Sequence, residues 1–182
     1  KNMNTIYIGY EIGSPSSAYR IENGKIKRSD AYAPASLYSA IDYDDGIVFG
    51  TNGNGIIYQS RSGQITQYTY SNSTICADAI MTLFADSDKN LWIGSYRYGI
   101  SLHSGHTNMF RSLTATKGQI TGRIVTAIAS DSSCTYIGLD GEGLNIIDRH
   151  NGRIESLNTS NSDILGDNVL SIINDGEYLW LS

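Results

Sequence analysis

Some carboxylates and histidines in the sequence are close enough together to suggest catalysis or metal binding. Asp140 and Glu142 are separated by one residue, and His103 and His106 are separated by two. An acid–base pair must converge on one reacting group, and a metal site needs at least a third ligand. No third ligand lies near the histidines, and a turn is the simplest place for the two acids. We therefore predict no catalytic residue, no metal site and no cofactor.

The segment from Asp86 to Asn90 resembles the start of a calcium-binding loop. Such a loop needs glycine at its sixth position and an acid at its twelfth. Here these positions hold Leu91 and Arg97, and the equivalent turns elsewhere in the chain do not repeat the acidic spacing. We interpret the segment as a polar β-turn.

A group of tyrosine, arginine and amide side chains has the chemistry that suits a sugar. Sugar rings stack on aromatic faces, and their hydroxyls need hydrogen-bond donors and acceptors. An alternative is that Tyr98 only covers an edge of the fold, since the chain contains 13 tyrosines. The candidate ligand-binding residues are Tyr96, Arg97, Tyr98, Asn52, Asn54, Asp140 and Glu142, with Glu11 as a further polar residue in the same kind of segment.

These candidates occur at equivalent places in an internal repeat. A short apolar strand pattern recurs five times, and the last three intervals between its final residues are each 44 residues long. The five copies are Ile6–Gly9, Ile47–Gly50, Leu91–Gly94, Thr135–Gly138 and Leu179–Ser182. A second apolar segment precedes each of the last four copies, and turn residues separate all the segments. Periodicity of this length is typical of repeat architectures such as propellers.

The repeat predicts an all-β fold made of β-propeller blades. Each complete unit contains four short apolar segments, the fourth lying around Ile65, Phe110 and Ile154. Four antiparallel strands in about 44 residues make one blade. The glycine that ends the strand pattern allows a bend or a close approach by another blade. The predicted units span residues 1–36, 37–78, 79–122, 123–166 and the incomplete 167–182.

The chain enters and leaves the repeat at the same strand. A closed four-bladed ring would not need that duplicated strand, so we expect a partial propeller, with about four repeats taken from a larger one. Each blade buries its faces on its neighbours. We therefore expect the remaining blades of a parent protein to be partners of this segment.

Composition excludes several classes of function. Hydrophobic residues make up 40% of the chain, which excludes a disordered protein. The net charge is −5 without a basic stripe, so no nucleic acid is expected as a partner. No apolar run approaches the length of a membrane span, and no membrane contact is expected. Cys76 and Cys134 occupy different places in the repeat, and the sequence leaves open whether they are free.

The sequence pattern of the repeat is similar to that of a known family. Asp86–Ser95, followed by Gly99 and Ile100, resembles the two-component regulator propeller repeat, roughly D-x-x-G-x-L-W-I-G-T-x-x-G-G-L. Tyr136–Leu144 and Asn174–Ser182 resemble parts of the same pattern. The third unit departs from the pattern in its turns, at Lys89-Asn90 and at Arg97-Tyr98.

The resemblance implies a function that the residues alone do not define. Such repeats are typical of the periplasmic sensor region of hybrid two-component histidine kinase/response regulators in Bacteroidetes. The implied parent protein has two propellers, a β-sandwich domain, an inner-membrane helix and a cytoplasmic kinase, and acts as a homodimer. The implied role of this chain is non-enzymatic sensing of a glycan-derived oligosaccharide or another small ligand. Two alternatives stay open, which are a protein-interaction scaffold and a propeller lyase or hydrolase.

Overall fold

The computed structural model describes residues 5–8, 17–22, 25–29, 36–104 and 110–182. The described strands form five antiparallel sheets, in which strands that are consecutive in the chain lie side by side. The first unit has the strands β1 (Thr5–Ile8), β2 (Ser17–Glu22) and β3 (Lys25–Ser29). The last two strands, β16 (Ile172–Asn174) and β17 (Leu179–Leu181), form the fifth unit.

Three complete four-stranded blades lie between these two units. The second blade contains β4 (Leu37–Tyr43), β5 (Gly46–Thr51), β6 (Ile56–Ser60) and β7 (Ile65–Tyr68). The third blade contains β8 (Ile80–Ala85), β9 (Leu91–Ser95), β10 (Ile100–His103) and β11 (Phe110–Leu113). The fourth blade contains β12 (Val125–Ser130), β13 (Cys134–Leu139), β14 (Leu144–Asp148) and β15 (Ile154–Leu157).

The order of the strands confirms the predicted all-β propeller architecture. Each complete blade follows the chain order, and the predicted fourth strands are present as β7, β11 and β15. The first strands of successive units, β4, β8, β12 and β16, contact one another in turn. This places the blades side by side about a common axis, as in a propeller. Within the described residues, the one helical element is a 3-10 turn at Ala115–Lys117.

The second strand of each blade divides its side chains between two neighbouring blades. Successive side chains of a strand point to opposite faces. In β9, Leu91 and Ile93 pack with Val48 and Ile56 of the second blade, and all four are at most 2% exposed. Trp92, between them, packs with Ile137 of the fourth blade. Both faces of this strand are therefore apolar because a blade covers each of them.

The glycine that ends the repeated strand pattern is required by close packing between blades. A Cβ atom at Gly94 would lie 2.6 Å from Cγ1 of Val125, in the first strand of the next blade. A Cβ at Gly50 would lie 2.9 Å from Cγ2 of Ile80, which occupies the equivalent place one blade earlier. Neither glycine has a positive φ angle. The close approach between blades that the sequence suggested is thus confirmed, and it is the reason for glycine here.

Both Cys76 and Cys134 are free thiols. In the part of the chain that the structure describes, no helix has the length and hydropathy needed to cross a membrane.

Candidate ligand-binding face

The loops that join the second and third strands lie at one end of the blades. These loops comprise residues 52–55, 96–99 and 140–143. The first N–H of each loop donates to a carbonyl that precedes its own blade, as in the 2.9 Å bond from Tyr96 to Ala79. The last N–H donates to the connection that leads to the next blade, as in the 3.0 Å bond from Gly99 to Arg123. Loops and connections together form one surface, here called the loop face.

All seven candidate residues lie on the loop face. Tyr96 and Tyr98 are 38% and 61% exposed. Asn52 is half-buried, whereas the remaining candidates, Asn54, Arg97, Asp140 and Glu142, are exposed. Glu11 lies outside the described residues. The repeat therefore places the candidates on a common surface in three neighbouring blades.

Two of the candidates line the same groove. A groove of about 600 Å³, here called the third-blade groove, is lined by Arg97 and Tyr98. The rest of its wall comes from residues 70 and 73–76, from the end of β11 and the 3-10 turn that follows it, and from Arg123. Tyr96 does not line the groove, and neither do the candidates of the second and fourth blades. The sequence did not identify the contributions of Tyr70, Lys117 and Arg123.

A chain of hydroxyl groups holds the floor of this groove. Ser101, which is fully buried, accepts a 2.9 Å hydrogen bond from the N–H of Cys76 at Oγ. The Oγ of Ser112 donates to the carbonyl of Thr74 at 2.9 Å. Since that bond uses the hydroxyl proton of Ser112, the Oγ of Ser101 is the donor in the 3.0 Å bond between the two serines. The hydroxyls of Ser101 and Ser112 therefore both have partners, and segment 74–76 is fixed to β10 and β11.

The fourth blade uses a larger residue at the same position. Asn145 is fully buried, and its Oδ1 accepts a 2.9 Å bond from the N–H of Thr121. Its Nδ2 donates to Oγ1 of the same threonine at 2.8 Å. Sequence reasoning missed this role. The available signal was a polar residue inside an otherwise apolar third strand, at Ser101 and again 44 positions later.

Arg97 has an unusual backbone conformation for its residue type. Its φ angle is 75°, in the left-handed region, whereas the equivalent residues in the neighbouring loops are Gly53 and Gly141. The guanidinium carbon lies 4.8 Å from the centre of the Tyr96 ring. A residue with a Cβ is strained at this φ, and such strain is concentrated at functional sites. The strained backbone makes this loop of the third blade a candidate functional segment.

His103 has a packing role. Its ring lies 4.9 Å from the ring of Phe110, and Nδ1 is 3.2 Å from the hydroxyl of Tyr43. Burial lowers the pKa of this imidazole. His106 lies outside the described residues. Within the described ranges, no group of three or more His, Cys, Asp or Glu side chains could hold a metal ion.

The turn at Asp86 lies at the opposite end of the blades and is held by its own carboxylate. Oδ1 of Asp86 accepts 2.9 Å bonds from the N–H groups of Asp88 and Asn90. Oδ2 accepts from Nε1 of Trp92 at 2.9 Å and lies 3.3 Å from the guanidinium of Arg149 in the next blade. Burial raises the pKa of Asp86, but the hydrogen bonds from Trp92 and Asn90 outweigh it, so the pKa is lowered. These contacts support the interpretation as a polar turn.

The structure thus defines blades of a β-propeller with an open groove on the loop face. Residues 74–97 match the family model described as the two component regulator propeller. The resemblance predicted from the sequence is confirmed for this segment, which runs from the floor of the groove to Arg97. The sequence has no significant match among curated proteins.

Comparison with solved structures confirms the fold. The extracellular domain of a hybrid two component system from B. thetaiotaomicron superposes with a TM-score of 0.77 at 13% identity, covering 98% of this chain and 26% of that domain. A second such domain from the same organism gives 0.72 at 14% identity, with 98% and 30% coverage. The computationally designed Ika4 protein gives 0.59 at 10% identity, with 84% and 88% coverage. The chain spans under a third of the length of the two B. thetaiotaomicron domains.

Proposed function

We propose that this chain is part of an extracellular sensor region of a hybrid two-component regulator, and that its loop face binds a glycan-derived oligosaccharide. The regulator repeat at residues 74–97 and the fold shared with two extracellular domains support the regulatory part of the proposal. A shared fold does not by itself define a function. The sensing part of the proposal is therefore argued from the residues of the third-blade groove.

The observation that supports carbohydrate binding is the composition of the third-blade groove. Tyr98 and Tyr70 line it, and they expose 61% and 68% of their surface. Exposed rings beside hydroxyl and guanidinium groups suit a ligand with apolar ring faces and many hydroxyls. The bonded floor at Ser101 and Ser112 keeps the groove formed before a ligand arrives, which lowers the cost of binding.

The proposed mechanism is a population shift in the parent protein. The chain itself is non-enzymatic, and the kinase belongs to another region of the parent, beyond an inner-membrane helix. The remaining blades and a β-sandwich domain cover the free sheet faces, and the periplasmic region forms a homodimer. A ligand that binds one arrangement of the two subunits more tightly than the other biases the kinase.

Calorimetric titration with a panel of neutral and acidic oligosaccharides tests the sensing function. We expect heat from at least one class of saccharide, and at least a tenfold loss of affinity in Tyr98→Ala. Tyr178→Ala is the matched control, because Tyr178 is 59% exposed but lies in the turn before β17. Absence of heat from every saccharide, or equal losses in both variants, would contradict carbohydrate sensing at this groove.

The regulatory part of the proposal has an independent test. A membrane-spanning segment followed by a histidine kinase in the gene that encodes this chain would support it. A gene that encodes only further propeller blades would count against it.

A further inference from the structure

Backbone hydrogen bonds define equivalent positions in the inter-blade connections. Gly55, Gly99 and Gly143 end the three loops of the loop face, and their N–H groups donate to the carbonyls of Asp78, Arg123 and Asp167, respectively. The donor–acceptor distances are 2.8, 3.0 and 2.7 Å. These three acceptors therefore occupy one place in the repeat, although two are acids and the third is a base.

The two aspartates at this place stabilise their own connections. Oδ1 of Asp78 accepts a 2.7 Å bond from the N–H of Tyr70. Oδ1 of Asp167 accepts a 2.8 Å bond from the N–H of Thr159, and Oδ2 accepts a 3.0 Å bond from its hydroxyl. These carboxylates fix turns that have the same form in both connections.

Arg123 cannot perform that role, because a guanidinium has no acceptor. Its connection is instead turned by the 3-10 segment Ala115–Lys117, which ends at Gly118 with a φ angle of 65°. The side chain of Arg123 forms no hydrogen bond or ion pair with any residue that the structure describes. The third blade thus replaces a structural acid with an exposed base that the local turn does not use.

Arg97 is a second departure of the same kind, and it lines the same groove. The equivalent loop residues are Gly53 and Gly141, both with positive φ, so the backbone favours glycine at this place. Lys117 adds a third positive charge to the wall, and the lining residues include no aspartate or glutamate. In the described part of the chain, no carboxylate lies within 4.0 Å of any of these three cations. Three positive charges without a carboxylate partner therefore line one open site on a protein with a net charge of −5.

From this pattern we propose that the third-blade groove binds an acidic saccharide, with its carboxylate or sulfate group held by Arg97, Arg123 and Lys117. The inference rests on the proposed carbohydrate-sensing function and specifies the charge of the ligand. Guanidinium groups present paired donors that match the oxygens of a carboxylate or sulfate, and Lys117 contributes a point charge. Tyr98 and Tyr70 supply ring surfaces for the sugar.

Matched saccharides separate the effect of charge from that of the sugar backbone. We would titrate the full chain with oligogalacturonate and with its neutral methyl ester, and with chondroitin sulfate oligosaccharides and their desulfated form. The first pair reports on a carboxylate and the second pair mainly on sulfate. At least one charged member should bind about tenfold or more tightly than its less charged counterpart. Its affinity should also fall as salt is added, since the cations are exposed.

Substitution by the residues of the neighbouring blades provides variants that the fold already accepts. Arg97→Gly and Arg123→Asp should each weaken the acidic saccharide by about tenfold or more and leave a neutral one within about twofold. Arg153→Asp makes the same charge change in an exposed turn at the other end of the blades and should have no such effect. If Arg123→Asp fails to give the native circular dichroism spectrum, Arg123→Gln removes the charge alone.

The outcomes distinguish this inference from the function on which it rests. Equal affinity for charged and neutral saccharides, with no response to either arginine substitution, would overturn the inference and leave carbohydrate sensing intact. Equal losses in Arg153→Asp and Arg123→Asp would overturn it as well, because the effect would then be one of net charge. Absence of binding by every saccharide would overturn both.

Discussion

Nε1 of Trp92 donates a 2.9 Å hydrogen bond to Oδ2 of Asp86 and so ties the second strand of the third blade to the turn before it. The same relationship recurs in the next two units. The hydroxyl of Tyr136 donates to Asp131 at 2.6 Å, and Nε1 of Trp180 donates to Asp175 at 2.7 Å. Trp92 itself is 5% exposed, and it can be buried because its polar atom finds a carboxylate in the adjacent turn.

Replacement of Asp86 by asparagine should make the protein less stable at neutral pH. The amide keeps one oxygen but presents N–H groups where Trp92 and Arg149 need an acceptor. We expect Asp86→Asn to lower the free energy of unfolding by about 1–3 kcal/mol at pH 7. Chemical denaturation checks the value. Asp88→Asn is the control, because the Asp88 side chain is 64% exposed and its pair with Arg149 should contribute less than about 1 kcal/mol.

The same pair predicts the direction of a pH effect. The pKa of Asp86 is lower in the folded protein than in the unfolded chain, where a value of about 3.9 is usual. The unfolded state therefore binds more protons between these two values, and the stabilisation is lost as the pH falls through the folded pKa. The difference in stability between the natural protein and Asp86→Asn should shrink below about pH 4. A difference that stays constant down to pH 2 would contradict this account.

Gly94 provides a test of the close approach between blades. A Cβ at this residue would lie 2.6 Å from Cγ1 of Val125. Because such a contact forces the two blades apart, Gly94→Ala should reduce the free energy of unfolding by about 1–3 kcal/mol. Gly166→Ala is the control, since no atom lies within 4 Å of its Cβ position and its φ is not positive. Thermal unfolding compares the two variants. Equal losses of stability in Gly94→Ala and Gly166→Ala would contradict the packing account.

The architecture was accessible from sequence because it is a property of the repeat. The spacing from Gly50 to Gly94 and from there to Gly138 fixed the length of the blade, and the apolar segments located its four strands. Burial of both faces of β9 followed from the alternation of Leu91, Trp92 and Ile93 without polar residues. By contrast, the partner of Trp92 was not foreseen, although an aspartate stands five or six residues before the aromatic residue in three units.

Arg97 provides a test of strain in the loop of the third blade. Its φ of 75° is unfavourable for any residue with a Cβ. Arg97→Gly should therefore raise the free energy of unfolding by about 1 kcal/mol. Arg97→Ala is the matched comparison, since it removes the guanidinium but keeps the Cβ and should not gain this stability. Equal stability of the glycine and alanine variants in urea titrations would contradict the strain.

Asn145 provides a test of the connection between the third and fourth blades. Its side chain is buried and satisfies both the N–H and the hydroxyl of Thr121. Asn145→Ala leaves that N–H without its partner and should cost about 1–3 kcal/mol of the free energy of unfolding. Asn54→Ala, at an exposed loop position, should change it by less than about 0.5 kcal/mol. If the two substitutions had equal effects on the denaturation midpoint, the proposed role of Asn145 would be wrong.

The candidate site was only partly accessible from sequence. The repeat predicted Arg97 and Tyr98 as candidates because the loops between second and third strands share a surface. Tyr70, Lys117 and Arg123 come from connections whose course depends on tertiary hydrogen bonds, and the apolar pattern does not specify that course. The net charge of −5 is an average over the chain and does not describe a local group of cations.

Hydrogen–deuterium exchange with and without a saturating acidic oligosaccharide tests the central claim most directly, since it locates binding along the chain. The account predicts that the segments around residues 70–76, 96–99 and 112–123 become protected together. The turns at the other end of the blades, including residues 86–90, should stay unchanged. Protection confined to those turns, or no change in the three segments under conditions where calorimetry detects binding, would contradict it.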